Sequence, residues 1–193
     1  MTIPCSMFAL EMCLRFAPES SLHRALHQLV IAPPVKMGPH DKRQQYHDAS
    51  AQLLAEIDLL ERGCWDYFDD DARARREYED WCSGMFTEVG DRLTPEAPPQ
   101  PYRGEPRYLT FTMALLVIQG SPSDEALLEL SRVPRDRLWW RETFVDLLRG
   151  LMDLTFTSVK SDVIYLIPRD EAWALRSQDL SAKRFDYLRE VIA

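Results

Sequence analysis

The chain has 193 residues, of which 46% are hydrophobic and 28% charged, so it can bury a sizeable core of its own. Acidic residues outnumber basic ones by 31 to 23, and the net charge of −8 argues against nucleic acid as a partner. The longest apolar run, residues 113 to 118, is strand-sized, and neither a signal peptide nor a membrane-inserted segment is expected.

Residues 5 to 31 predict a strand followed by a helix. Apolar side chains alternate with small or charged ones from residue 5 to residue 16, which is the pattern of a strand with one buried face. After Pro18, apolar residues recur at helical spacing from Leu22 to Val30, and either Ser20 or Ser21 is a suitable N-cap.

Residues 32 to 93 predict a loop and two helices. The segment 32 to 47 combines prolines with clustered charges and predicts a surface loop. A helix is expected from Asp48 onward. Its buried side would consist of Leu53, Leu54, Ile57, Leu60 and Cys64. The three aspartates at 69 to 71 favour the positive end of a helix dipole and so predict the start of the next helix.

Five prolines between residues 94 and 106 predict an exposed connector. It could divide the chain into two lobes, residues 1–93 and 107–193.

The second half predicts two strands and three helices. Residues 108 to 118 are apolar or threonine on both faces and indicate a buried strand. Helices are expected after Ser121, after Pro134 and near Ser181. The last strand should cover residues 162 to 168. We therefore predict one α+β domain over residues 1–193, with a small, mostly antiparallel sheet of about three strands covered by five or six helices.

His23 and His27 are the best candidates for metal ligands, because two histidines four residues apart share one face of a helix. Glu11, His40 or His47 would have to complete such a site, and nothing in their spacing requires it. The competing interpretation is a pair of half-exposed histidines beside the leucine stripe, and it is the one we favour.

The sequence contains no complete catalytic motif. The four cysteines form no CxxC pair and indicate reduced thiols in a cytoplasmic protein. The sequence contains no nucleotide-binding glycine loop and neither of the catalytic motifs GxSxG and HExxH. We predict no catalytic residues, no cofactor and no metal.

Two places remain as weak candidates for a binding site. Trp139 and Trp140 are adjacent on an expected helix, and both can be buried only if a wide face of that helix is covered. Core packing of both is the interpretation that we favour, and the alternative makes Trp139 an exposed contact residue. The strand at 162 to 168 ends at Pro168, and Arg169 and Asp170 follow it at the sheet edge, where sites often occur.

The order of these segments resembles an uncharacterised domain-of-unknown-function family known mainly from cyanobacteria and plastids. The stretches that carry the resemblance are MFALEMCLRF, SAQLLAEIDLLERG, YLTFTMALLVI and VIYLIPRDEAWAL. The family's last strand usually has a tryptophan before its proline, where this chain has Leu166 and Ile167. The resemblance implies one α+β unit and no established catalytic residues.

Two functions are compatible with these observations. The first is a non-enzymatic interaction or assembly protein that binds a protein partner or itself, suggested by the tryptophans 65, 81, 139 and 140. The alternative is a small-molecule or metal-binding enzyme with a site at the strand ends near His23, His27 and Asp170.

Overall fold

A computed structural model describes residues 3–15, 21–31, 37–86, 106–169 and 174–193, and for 84–86 it describes the backbone alone. These residues form six strands and five α-helices. In chain order they are β1 (Cys5–Arg15), α1 (Leu22–Val30), α2 (Pro39–Ala55), β2 (Leu60–Phe68), α3 (Asp71–Phe86), β3 (Arg107–Ile118), α4 (Pro122–Leu130), α5 (Arg141–Asp153), β4 (Val159–Ile167), β5 (Leu175–Arg176) and β6 (Arg189–Glu190). Within the described ranges, no helix has the length and hydropathy needed to cross a membrane.

The six strands form a single sheet whose order is β4-β3-β1-β2-β6, and β5 pairs with the start of β3. All pairings between these strands are antiparallel. β1 lies at the centre, between β2 from the first half of the chain and β3 from the second half. The central strand therefore has hydrogen-bond partners along both edges.

One face of the sheet, which we call the helical face, packs against α1, α2, α4 and α5. Side chains at alternate positions of β1 and β3, such as Phe8, Leu10 and Phe111, enter this main core together with Tyr46 and Phe144. The alternation expected for a half-buried strand thus points its larger apolar side chains to the helices.

The opposite face of the sheet, which we call the second face, is also covered. Ala74 and Tyr78 of α3 pack on Met7 and Ala9 at one end of β1. The C-terminal segment 175–188 covers the other end, where Cys13 lies. The prediction that β1 has one buried face was therefore wrong, because α3 and the C-terminal segment bury the second face as well.

The predicted sheet of about three strands was also wrong, since the sheet has six. The largest error concerns β2, whose residues Leu60 and Cys64 were assigned to a helix. α2 ends at Ala55, and residues 60–68 pair with β1 instead. Trp65 packs on the helical face and Cys64 on the second face. Charged residues at 61, 62 and 66 interrupt the apolar residues of β2, while Leu60 and Cys64 continue the spacing of the preceding helix, so its period of two was hidden.

Two further predictions failed in the loop and at the C-terminus. α2 begins at Pro39, inside the predicted loop, and the side chain of Asp41 accepts a hydrogen bond from the Gly38 amide at its start. The expected C-terminal helix is replaced by short 3-10 turns and β6. Phe185 is buried as expected, whereas Ile192 is 53% exposed.

Several predicted elements are confirmed. β1, α1, α3, β3, α4 and β4 lie where the sequence placed them, and the Ser121 side chain accepts a hydrogen bond from the Asp124 amide at the start of α4. Asp70 accepts one from the Arg73 amide at the start of α3. Trp139 and Trp140 precede α5 and do not lie within it. Residues 94–105 of the predicted connector lie outside the described residues.

Gly63 provides a test of the packing between β2 and α5. A Cβ atom at this position would lie 2.4 Å from Cε1 of Phe144, whose ring is fully buried. We expect Gly63→Ala to lower the free energy of unfolding by about 1–3 kcal/mol, because the buried ring must shift. Urea denaturation measures this change.

The matched control is Phe144→Leu, alone and combined with Gly63→Ala. Because the smaller side chain makes room for the new methyl group, the double variant should lose less stability than the two single losses added together. Strictly additive losses would show that the ring contact is not the cause.

Candidate functional site

Glu11 lies at the centre of β1 on the second face of the sheet, and only 4% of its surface is exposed. Its neighbours across the sheet are Cys64 on β2 and Thr112 on β3. The apolar cluster under α3 lies on one side of Glu11, and the cluster under the C-terminal segment lies on the other. A carboxyl group in such a place needs polar neighbours, because burying it unpaired is costly.

A cavity of about 330 Å³, which we call the Glu11 pocket, opens above this residue. Its lining consists of Glu11, Cys64, Asp66, Glu77, Asp80, Trp81, Thr112, Ile167, Arg184, Phe185 and Tyr187. The sheet forms the floor, α3 forms one wall, and residues 184–187 form the other. The pocket thus occupies the gap between the two elements that cover the second face.

Tyr187 connects the C-terminal wall to the floor. Its hydroxyl group donates a hydrogen bond of 2.7 Å to Oε2 of Glu11. Its ring also approaches the ring of Trp81 on α3, with 6.0 Å between centroids and an interplanar angle of 59°. Although Tyr187 is 41% exposed, its polar end is therefore held inside the pocket.

Two carboxyl groups of the pocket resist ionisation. Burial raises the pKa of Glu11 above its ordinary value of 4.5, and the hydrogen bond from Tyr187 opposes this rise only in part. Burial also raises the pKa of Asp66, and the nearby charge of Glu77 adds to the effect. These groups hold their protons at a higher pH than surface carboxyl groups do.

Arg184 brings a half-buried cation to the pocket. Its Nε and Nη2 atoms are buried, and neither finds a hydrogen-bond partner among the described residues. Burial lowers the pKa of this guanidinium, which nevertheless carries its charge at neutral pH. Its central carbon lies 4.4 Å from the ring centroid of Phe185. Buried donors without acceptors are rare in folded proteins, so these two nitrogen atoms call for an explanation.

The thiol of Cys64 also lines the pocket. Burial raises its pKa to about 12, and the nearby carboxyl groups of Asp66 and Glu11 contribute. A thiol with so high a pKa is protonated at neutral pH and is a poor nucleophile. The chemistry available in the pocket is therefore that of carboxyl, phenol and guanidinium groups.

The two histidines of α1 lie elsewhere. His23 is buried, not half-exposed, and its Nε2 donates a hydrogen bond of 2.9 Å to the carbonyl oxygen of Pro168. The centroid of its ring lies 6.4 Å from that of His27. No group of three or more metal-binding side chains occurs in the part of the chain that the structure describes.

The remaining candidates from the sequence are not gathered at one site. Trp139 is half-buried and packs against the main core and the C-terminal cluster. Arg169 is exposed, and its guanidinium carbon lies 5.6 Å from the ring centroid of Tyr165. Asp170 lies outside the described residues. The hydrogen bond to Pro168 brings His23 close to this turn, but His23, His27, Trp139 and Arg169 do not line the Glu11 pocket.

Sequence reasoning missed Glu11, Arg184 and Tyr187 as a group. The one available signal was Glu11 itself, which is a single acid within an apolar strand. Tyr187 meets Glu11 across 176 residues of sequence, and no local pattern predicts that contact.

Comparisons with protein-family models, with curated proteins and with solved structures found no match to this chain. The resemblance to the cyanobacterial and plastid family thus stays a prediction.

The raised pKa of Glu11 makes a prediction about stability and pH. An acid whose pKa is raised by folding stabilises the fold fully below its unfolded pKa, here 4.5, and loses that contribution as pH rises toward the folded value. Above pH 4.5 the free energy of unfolding should fall with a slope of up to about 1.4 kcal/mol per pH unit from this group. Glu11→Gln should reduce the slope and leave the contribution of Asp66.

Urea denaturation at a series of pH values measures this slope. Thr143→Val is the matched control, because it removes a 2.7 Å hydrogen bond from a buried hydroxyl group to the backbone carbonyl oxygen of Arg137, involves no carboxyl group and leaves Glu11 in place. This control should lose stability and keep the slope of the wild type. An unchanged slope in Glu11→Gln would show that Glu11 does not titrate as its burial indicates.

Proposed function

We propose that this protein binds a small polar organic molecule in the Glu11 pocket. The observation that carries the proposal is Arg184, which lines the cavity and whose buried Nε and Nη2 atoms lack acceptors among the described residues. Leaving a buried donor unpaired costs about 1–3 kcal/mol, and more when the group is charged. A ligand oxygen that accepts from the guanidinium, once the side chain turns these atoms toward the cavity, would offset that cost.

The size and lining of the pocket support a small molecule. A volume of about 330 Å³ is at the lower end of the range for ligand sites in proteins, which suits a metabolite and not a peptide. Trp81, Ile167 and Phe185 supply apolar surface, while Glu11 and Arg184 supply polar groups that can orient a ligand. Apolar walls with a few converging polar groups are typical of such sites.

The interaction hypothesis gains no specific support from the tryptophans. Trp65 is buried and its Nε1 donates to the carbonyl oxygen of Leu138, and Trp139 packs against both neighbouring clusters. Trp140 is half-buried beneath the guanidinium of Arg137. An assembly role therefore stays a prediction from the sequence, as does an enzyme site near His23, His27 and Asp170.

A fragment screen tests the binding proposal. The full chain is exposed to a mixed library of cationic, neutral and anionic fragments, and binding is followed by ligand-observed NMR. We expect at least one fragment to bind and to lose about tenfold or more in affinity in Arg184→Met, because a hydrogen bond to a charged group is removed. The variant should fold, since the side chain it replaces has two unpaired buried nitrogen atoms.

Arg149→Met on α5 is the matched control. Its side chain is 69% exposed and makes a 3.8 Å ion pair with Asp146 of the same helix, so fragment affinities should be unchanged. The proposal fails if no fragment binds, or if every fragment binds equally well to wild type and Arg184→Met.

A further inference from the structure

The charges that line the Glu11 pocket restrict the kind of ligand that it can accept. Among the lining residues that the structure describes, four carry carboxyl groups (Glu11, Asp66, Glu77 and Asp80) and one, Arg184, carries a guanidinium. Glu77 is partly neutralised by Arg73 and Arg76, each 3.6 Å away. The raised pKa values of Glu11 and Asp66 reduce their negative charge, but acidic side chains still outnumber basic ones in this lining. A further anion is therefore disfavoured, whereas a cation, which allows both carboxyl groups to ionise, is favoured.

The carboxyl groups of the pocket oppose one another's ionisation. Burial raises the pKa of Asp66 and the charge of Glu77 raises it further, so the pocket resists gaining more negative charge. Burial also raises the pKa of Glu11 on the floor. A bound cation would relieve both effects by favouring the ionised carboxylates.

Aromatic rings complete the surroundings that a cation prefers. The rings of Trp81 and Tyr187 approach each other from opposite walls at 6.0 Å and are inclined by 59°. Faces of tryptophan and tyrosine attract organic cations. Because these two rings contact each other, a cation would pack on a ring face that lines the cavity and not between the rings. Phe185 already contacts the guanidinium of Arg184, so Trp81 and Tyr187 are the rings that remain for a ligand.

We infer that the Glu11 pocket accepts a small ammonium compound that also carries an oxygen acceptor. The ammonium group lies against Trp81 and the carboxylates, and the oxygen accepts a hydrogen bond from Arg184. This inference rests on the proposed binding function and assigns a chemical class to its ligand. Amino alcohols and their quaternary derivatives are the simplest members of that class.

Choline chloride and its neutral carbon isostere, 3,3-dimethylbutan-1-ol, separate charge from shape. The ¹⁵N-labelled full chain is titrated with each compound at constant ionic strength, and the indole N–H signal of Trp81 is followed. We expect choline to bind about tenfold more tightly than the alcohol, and Trp81→Leu to abolish most of that difference. Acetate and inorganic phosphate should leave the signal unchanged.

Tetramethylammonium tests the oxygen acceptor separately. It has the charge of choline and lacks the hydroxyl group, so it should bind more weakly than choline to the wild type. In Arg184→Met that preference should disappear, whereas Arg149→Met should keep it.

Three results would overturn the inference. Equal affinity for choline and its isostere would exclude recognition of charge. Tighter binding of acetate or phosphate would show that the pocket prefers anions to cations. Failure of choline to bind at all would also overturn it. In each case, a fragment of another class that depends on Arg184 would still leave the binding function standing, whereas the loss of every hit would refute both.

Discussion

The burial of β1 on both of its faces is the constraint on which this structure depends. β1 lies between β2 and β3, so its backbone is paired on both edges, and its side chains are covered on both faces. One set of helices covers the helical face, and the second face requires α3 together with the C-terminal segment. Two separate elements meet over the second face, and the space between them is the Glu11 pocket.

This arrangement places polar groups where the fold would otherwise have apolar ones. Glu11 is held at the floor by the Tyr187 hydroxyl group, and Arg184 remains with two unpaired nitrogen atoms. An apolar residue at either position would be simpler to bury, because desolvating a charge often costs more than its partners return. Polar groups that are costly to bury and lie around a cavity are typical of functional sites. At such sites, the residue types are selected for binding and not for stability.

The parts of the fold that sequence reasoning predicted are those with a local physical signature. The Ser121 cap, the aspartates before α3 and the apolar runs of β1, β3 and β4 each depend on residues close in sequence. β2 was mistaken for a helix because its Leu60 and Cys64 continue the helical spacing of the apolar residues before them. The C-terminal turns were mistaken for a helix for the same reason, since Phe185 and Leu188 are buried at a spacing that a helix also uses.

The sequence by itself determined an α+β chain with a mostly antiparallel sheet, acidic overall, in which Glu11 is a single acid within an apolar strand. Only the tertiary structure decided that the sheet has six strands, that both faces of β1 are buried, and that Arg184 and Tyr187 meet Glu11. The physical reason is the range of the interactions. Caps, breaks and periodicity act between neighbours in sequence, whereas the pocket is built by contacts between residues up to 176 positions apart, whose meeting follows from how the sheet is covered.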